Sequence, residues 1–110
     1  MLRLKRHSQF QRVYKKGAKF KEDNIIMCLA ANGLKHNRIG ISVTSKCVPQ
    51  SVKRNRNKRL LSESCRLTEH YIKSIGHDIV FIVKKDMSKL YLNNVSKMMC
   101  KLYKKSGIIS

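Results

Sequence analysis

The chemistry of this chain is concentrated in Lys53–Arg59, KRNRNKR, where five cations and two amides fill seven consecutive positions. Guanidinium groups make planar, two-pronged contacts with phosphate oxygens. Asparagine adds a donor and an acceptor suited to sugar and base edges. A basic run is often only a solvated face. Here Glu63 is the sole acid between Asp23 and Glu69, so an intramolecular ion-pair lattice does not account for it. The run points to a polyanion, and first to nucleic acid.

Other chemistries have less to stand on. Metal-assisted hydrolysis needs clustered carboxylates. The six acids are Glu22, Asp23, Glu63, Glu69, Asp78 and Asp86, with one adjacent pair, Glu22-Asp23. His7, His36, His70 and His77 are scattered, and Cys28, Cys47, Cys65 and Cys100 contain no CxxC pair. That argues against a zinc site and leaves reduced structural thiols as the expectation. No catalytic residue and no metal ligand is expected from the protein itself.

With 25 Lys+Arg against 6 Asp+Glu, the formal charge is +19 on 110 residues. A single domain, 1–110, of that charge repels itself and works best beside a polyanion. A membrane surface is the competing polyanion, but no apolar run approaches the roughly 20 residues of a spanning helix. The start, MLRLKRHSQF, is basic without the apolar middle of a secretory signal, so the cytoplasm is expected.

The elements that must position the basic run follow from pattern. Pro49 keeps Val48 out of the helical region. Nothing interrupts Ser51–Ile75, which predicts one long helix stopped by Gly76. On its wheel Leu60, Leu61, Ser64, Leu67, Thr68, Tyr71, Ile72 and Ile75 share a face. Asn55, Arg56, Arg59 and Arg66 lie opposite, with Arg54 and Lys58 on a flank. Asn57 falls on the apolar stripe, where an unpartnered amide is costly. Isoleucine there is expected to stabilise the fold.

Ser8–Gly17 reads as a first helix with a Ser8–Gln11 capping box and Phe10, Val13 and Tyr14 on one face. Ala18–Glu22 reads as extended, and Asn24–Ala31 as a buried strand. Ile39–Thr44 alternates, with Gly40, Ser42 and Thr44 on its small polar face, and is expected to form an antiparallel hairpin with Asn24–Ala31. Such a face could admit an extended nucleic-acid strand. Ser45–Gln50 is a loop in which Lys46 can touch phosphate. Asp78–Val83 is a strand. A last helix, capped by Asp86 or Ser88, carries Tyr91, Leu92, Val95, Met98, Met99 and Leu102 as its apolar stripe. The basic tail, about 104–110, is expected to fray. The order predicts a small α+β sandwich with a mostly antiparallel sheet, a long central helix and helices toward both termini.

At the basic run the chain resembles the bacterial ribonuclease P protein subunit. Arg54-Asn55-Arg56-Asn57-Lys58-Arg59-Leu60-Leu61 is similar to that family's signature: RNR, a basic pair and two leucines. FQRVYKKG (Phe10–Gly17), RIGISVTSK (Arg38–Lys46) and HDIVFIVKK (His77–Lys85) resemble its first helix and two of its strands. The similarity runs from about Ser8 to Leu102. It departs at Asn57, where similar proteins carry an aliphatic residue, at Ser64 and Cys65, and at Cys28, where an aromatic can stand.

The resemblance implies a ribosomal protein S5 domain 2-like fold with a left-handed βαβ crossover, against the usual right-handed rule. It also implies an accessory subunit of an RNA-based endoribonuclease that removes the 5′ leader of precursor tRNA. The catalytic centre and its Mg²⁺ would belong to the partner RNA and substrate. Arg54, Asn55, Arg56, Lys58 and Arg59 would face that RNA, supported by Lys53, Arg66 and Lys46. Phe10, Tyr14, Ser42 and Thr44 would form the leader cleft. The free protein would be a monomer. A ribosomal or other structural RNA-binding protein would share the charge and size but need no cleft, and a self-sufficient nuclease would need carboxylates this chain lacks.

Overall fold

The structure, a computed structural model, describes residues 2–109. In chain order it comprises β1 (Leu2–Arg3), α1 (His7–Lys16), β2 (Ala18–Glu22), β3 (Ile25–Ala31), β4 (Arg38–Ser42), α2 (Ser51–Thr68), a 3-10 turn (Glu69–Tyr71), β5 (His77–Val83) and α3 (Leu92–Ser106). The strands form one sheet in the order β1-β4-β5-β3-β2. The chain is α+β, and its sheet is mixed: β1·β4 and β4·β5 are parallel, whereas β3·β5 and β2·β3 are antiparallel.

β3 and β5 are continuous apolar runs because both faces of each are covered. Ile25, Met27, Ile79, Phe81 and Val83 pack toward α2 and α3, with Leu61, Val95, Met99, Leu102 and Tyr103. Cys28, Ala30 and Val80 pack with Leu4 and Val13 on the α1 side.

The expected hairpin between Asn24–Ala31 and Ile39–Thr44 does not form, because β5 lies between the two strands. β4 instead runs parallel to β5, from Arg38↔Asp78 to Ser42↔Ile82. A two-sided apolar strand gains most at the centre of the sheet, and the next strand in sequence supplies no such centre. A part-buried ion pair pins the register: Arg38 Nε and Nη2 donate to the two oxygens of buried Asp78, each at 2.8 Å. Burial pushes the Asp78 carboxyl up, but hydrogen bonds from Arg38 and Asn32 outweigh it and hold the group below its ordinary value.

Helix boundaries also differ from expectation. Gln9, not a Ser8–Gln11 box, caps α1: its Oε1 accepts from Lys5 N at 2.9 Å and Arg6 N at 3.1 Å. α2 ends at Thr68, short of Ile75. There the Thr68 hydroxyl donates to Ser64 O at 2.7 Å and meets Tyr103 Oη at 2.8 Å, and the chain tightens into the 3-10 turn. Tyr71 and Ile75, assigned to the stripe, stand 50% and 65% exposed. Gly76 is not a helix stop but a turn before β5, at φ 82°. α3 starts after Tyr91, whose N–H donates to Asn94 Oδ1 at 2.9 Å; Asp86 and Ser88 lie in a separate turn. The tail is fastened rather than frayed through Ile109. Gly107 closes α3 in the left-handed conformation, and buried Ile108 accepts at its carbonyl from Lys73 N and Ser74 N. Ser110 lies outside the described residues.

Candidate nucleic-acid interface

The front half of α2 carries the cations, but they are not equivalent. Arg54 is half-buried, and its Nη1 donates to Val48 O at 3.0 Å and Pro49 O at 2.6 Å. It ties the entry loop to the helix, which lacks a side-chain cap at Gln50. Arg56 Nε donates to Ser88 O at 2.9 Å, and Lys53 Nζ lies 3.9 Å from Asp86 Oδ2. Arg66 is paired with Glu63 one turn earlier. Asn55, Lys58 and Arg59 are exposed and make no side-chain hydrogen bond or ion pair among the described residues, and Lys46 stands exposed on the entry loop. The uncompensated face is therefore Asn55, Lys58 and Arg59, flanked by Lys53 and Arg56, which are oriented by a neighbouring turn.

Asn57 is fully buried, as its place on the stripe requires, but it is not an unpaired amide. Its Nδ2 donates to Lys53 O at 2.7 Å and Asp86 Oδ1 at 2.8 Å, and its Oδ1 accepts from Met87 N at 2.8 Å. The expectation that isoleucine would stabilise this position is overturned.

A second surface lies on the α1 face of the sheet. Phe10 and Tyr14 are half-buried with ring centroids 6.4 Å apart. Phe10 lies over Gly40, where a Cβ would come within 2.6 Å of its Cε1. Only glycine in β4 lets the ring settle this low. Beyond the aromatics, the register row Ser42↔Ile82↔Ile26↔Lys21 crosses the sheet, and Ile26 and Ile82 are only partly covered. Ser42 joins this floor. Thr44 lies past the end of β4, exposed, with its Oγ1 accepting from Cys47 N at 3.4 Å. It marks the rim rather than the floor.

Lys19, opposite Cys28, and Lys21, opposite Ile26, are exposed on the edge strand of this same face. Sequence reasoning missed both lysines and the apolar pair Ile26 and Ile82. The alternation of β2 carried the signal, but only the pairing register tells which face it is. Burial pushes the Cys28 thiol up beneath this floor, with Lys19 opposing, and pushes Cys65, on the buried face of α2, up to about 12. Both are packing groups. A groove of about 340 Å³, lined by Lys58 and Ser62 of α2, Arg3 and Leu4 at the β1 edge, and Phe10, connects the two surfaces.

Fold and site together define a basic α+β protein that presents a cationic helix and a half-open sheet face on either side of one edge. The Ribonuclease P family model matches residues 1–107, and the chain belongs to that family of ribonuclease protein components. It is 37% identical over 107 residues to the ribonuclease P protein component of Clostridium kluyveri, covering 96% of this chain and 95% of that protein. It is 38% identical over 108 residues to that of Alkaliphilus metalliredigens, covering 98% and 96%. Among solved structures, the Staphylococcus aureus RNase P protein superposes with a TM-score of 0.84 at 25% identity, covering 100% of this chain and 99% of that one. The Thermotoga maritima protein does so at 0.81 and 27%, covering 96% and 97%.

Proposed function

We propose that the α2 face binds the catalytic RNA of ribonuclease P, while the floor beside Phe10 and Tyr14 holds the single-stranded 5′ leader of precursor tRNA. The observation that carries this reading is the presence of two chemically distinct surfaces joined by one groove. The helix face, with Asn55, Lys58 and Arg59 free of acidic partners, suits a phosphate backbone, whose counterions are released on contact. The sheet face offers aromatic rings over an apolar floor with lysines at its edge, which suits stacked bases of varied sequence. A structural RNA-binding protein would need only the first surface.

In this reading the cleavage step belongs to the RNA, with Mg²⁺ held by RNA and substrate. The chain's own carboxylates do not fit a Mg²⁺ site. Glu22 is paired with Lys101 and Lys105, Asp78 with Arg38, and Glu63 with Arg66. Among the described residues no three His, Cys, Asp or Glu side chains converge. The protein's part is to bind, orient and neutralise, as a monomer before assembly and in the cytoplasm.

The test is reconstitution with the RNA subunit from the same source. Phe10→Ala and Tyr14→Ala should each weaken the grip on precursor tRNA by about 1–3 kcal/mol, the worth of one stacked base. They should spare mature tRNA and assembly with the catalytic RNA. Equal losses for both tRNAs, with lowered melting temperatures, would return the two rings to core packing.

A further inference from the structure

The segment 84–89, KKDMSK, joins β5 to the turn before α3 and carries three lysines and one acid. That acid is directed at α2 and at its own turn, with its side chain 31% exposed. Asp86 Oδ1 accepts from Asn57 Nδ2 at 2.8 Å and Ser88 N at 2.9 Å. Its Oδ2 accepts from Ser88 Oγ at 2.8 Å and lies 3.9 Å from Lys53 Nζ. Buried Met87 donates its N–H to Asn57 Oδ1, and Ser88 O accepts from Arg56 Nε. The segment is thus fastened along the first turns of α2 at Lys53, Arg56 and Asn57. Lys84, Lys85 and Lys89 are exposed, and their side chains make no hydrogen bond or ion pair among the described residues.

We propose that the RNA-binding face of α2 continues onto the 84–89 segment, with Lys85 and Lys89 contacting backbone phosphates and the Asn57–Asp86 pair holding them in line with Arg56. The inference rests on the reading that α2 binds RNA. A free aspartate here would repel phosphate, but donors from Asn57 and Ser88 occupy the Asp86 oxygens and Lys53 lies beside them, so the segment sets three unpaired lysines against one partly offset acid. Lys89 follows directly the carbonyl that orients Arg56, so a phosphate run engaging Arg56 passes beside it. Asn57 and Asp86 act as positioning residues: the first is buried and the second is directed at its own turn.

The experiment measures Kd for the full chain and its cognate catalytic RNA across a salt series. Arg59→Ala serves as the control for α2. Lys85→Ala with Lys89→Ala should lower the salt slope by about two units and weaken binding roughly fivefold per lost contact near physiological salt. Both residues are exposed, so the fold should be unaffected. Asn57→Leu, which changes no charge, should also lower the slope, and by less once both lysines are gone. Asn57→Ser serves as the second variant if Leu reduces the folded fraction. A purely structural Asn57 would lower the melting temperature and leave the slope of the folded protein unchanged. If the lysine pair changes neither Kd nor slope while Arg59→Ala does, the face stops at α2 and the proposal fails. If Arg59→Ala changes nothing either, the α2 reading itself fails.

Discussion

Replacing Asn57 by isoleucine should destabilise this protein, although an aliphatic residue is what the stripe of α2 asks for. The substitution leaves the Met87 N–H without its acceptor. Met87 is fully buried, so water does not readily replace it, and such an orphaned donor costs about 1–3 kcal/mol. Asp86 also loses its hydrogen bond from the Asn57 amide, and bonds to charged groups contribute about 1.5–3 kcal/mol. Water recovers part of the second loss, because the Asp86 side chain is 31% exposed. Burying an isoleucine side chain returns about 2 kcal/mol. The balance is a loss of about 1–3 kcal/mol. Urea unfolding measures it: the midpoint should fall with the slope unchanged. A cycle with Asp86→Ala should show coupling of at least about 0.5 kcal/mol between the positions. A midpoint that stays or rises, or a cycle with no coupling, would refute the reasoning and return Asn57 to the status of an ordinary stripe residue.

Further outcomes follow from the same geometry. Arg56→Ala with Arg59→Ala should flatten the salt dependence of RNA binding by about two units, read from Kd across a salt series. Gly40→Ala should lift Phe10, since its Cβ would sit 2.6 Å from the ring, and weaken binding of precursor more than mature tRNA, read by comparing the two affinities. Asp78 is held below its ordinary value in the fold, so the stability it adds is present above the usual aspartate range and lost as pH falls through the lowered folded value. Asp78→Asn should therefore be less stable near neutrality and show a shallower acid limb, read from unfolding free energy against pH.

Most of what is local was legible in the sequence. The apolar runs expected at Asn24–Ala31 and Asp78–Val83 are the strands Ile25–Ala31 and His77–Val83, and the alternation expected over Ile39–Thr44 is the strand Arg38–Ser42, which ends before Val43 and Thr44. Pairing was not legible, because it is decided by which strand can be buried on both faces, a comparison across the whole chain. The end of α2 was hidden for a similar reason. Nothing in Leu67–Ile75 forbids a helix, and the helix stops where the Thr68 hydroxyl finds Tyr103 on α3. The frayed tail failed likewise: Ile108 looks dispensable until its carbonyl serves Lys73 and Ser74.

The site teaches the sharper lesson. The helical wheel sets Asn57 apart on the apolar stripe but leaves every cation of Lys53–Arg59 expected to meet RNA, whereas the fold divides their labour. Arg54 faces its own entry loop and fixes where the helix begins. Asn57 turns inward and holds the 86–88 turn, which in turn orients Arg56. Lys58 and Arg59 remain outward, with Lys58 lining the groove that leads to Phe10. Charge alone thus overstates how many of these side chains can meet a phosphate. Arg54, whose guanidinium is held by its own entry loop, and Asn57, which faces inward, shape the surface that the others present. On this division, loss of Arg54 should disturb the helix entry before it disturbs the salt slope, whereas loss of Arg59 should change the slope in an otherwise unaltered fold.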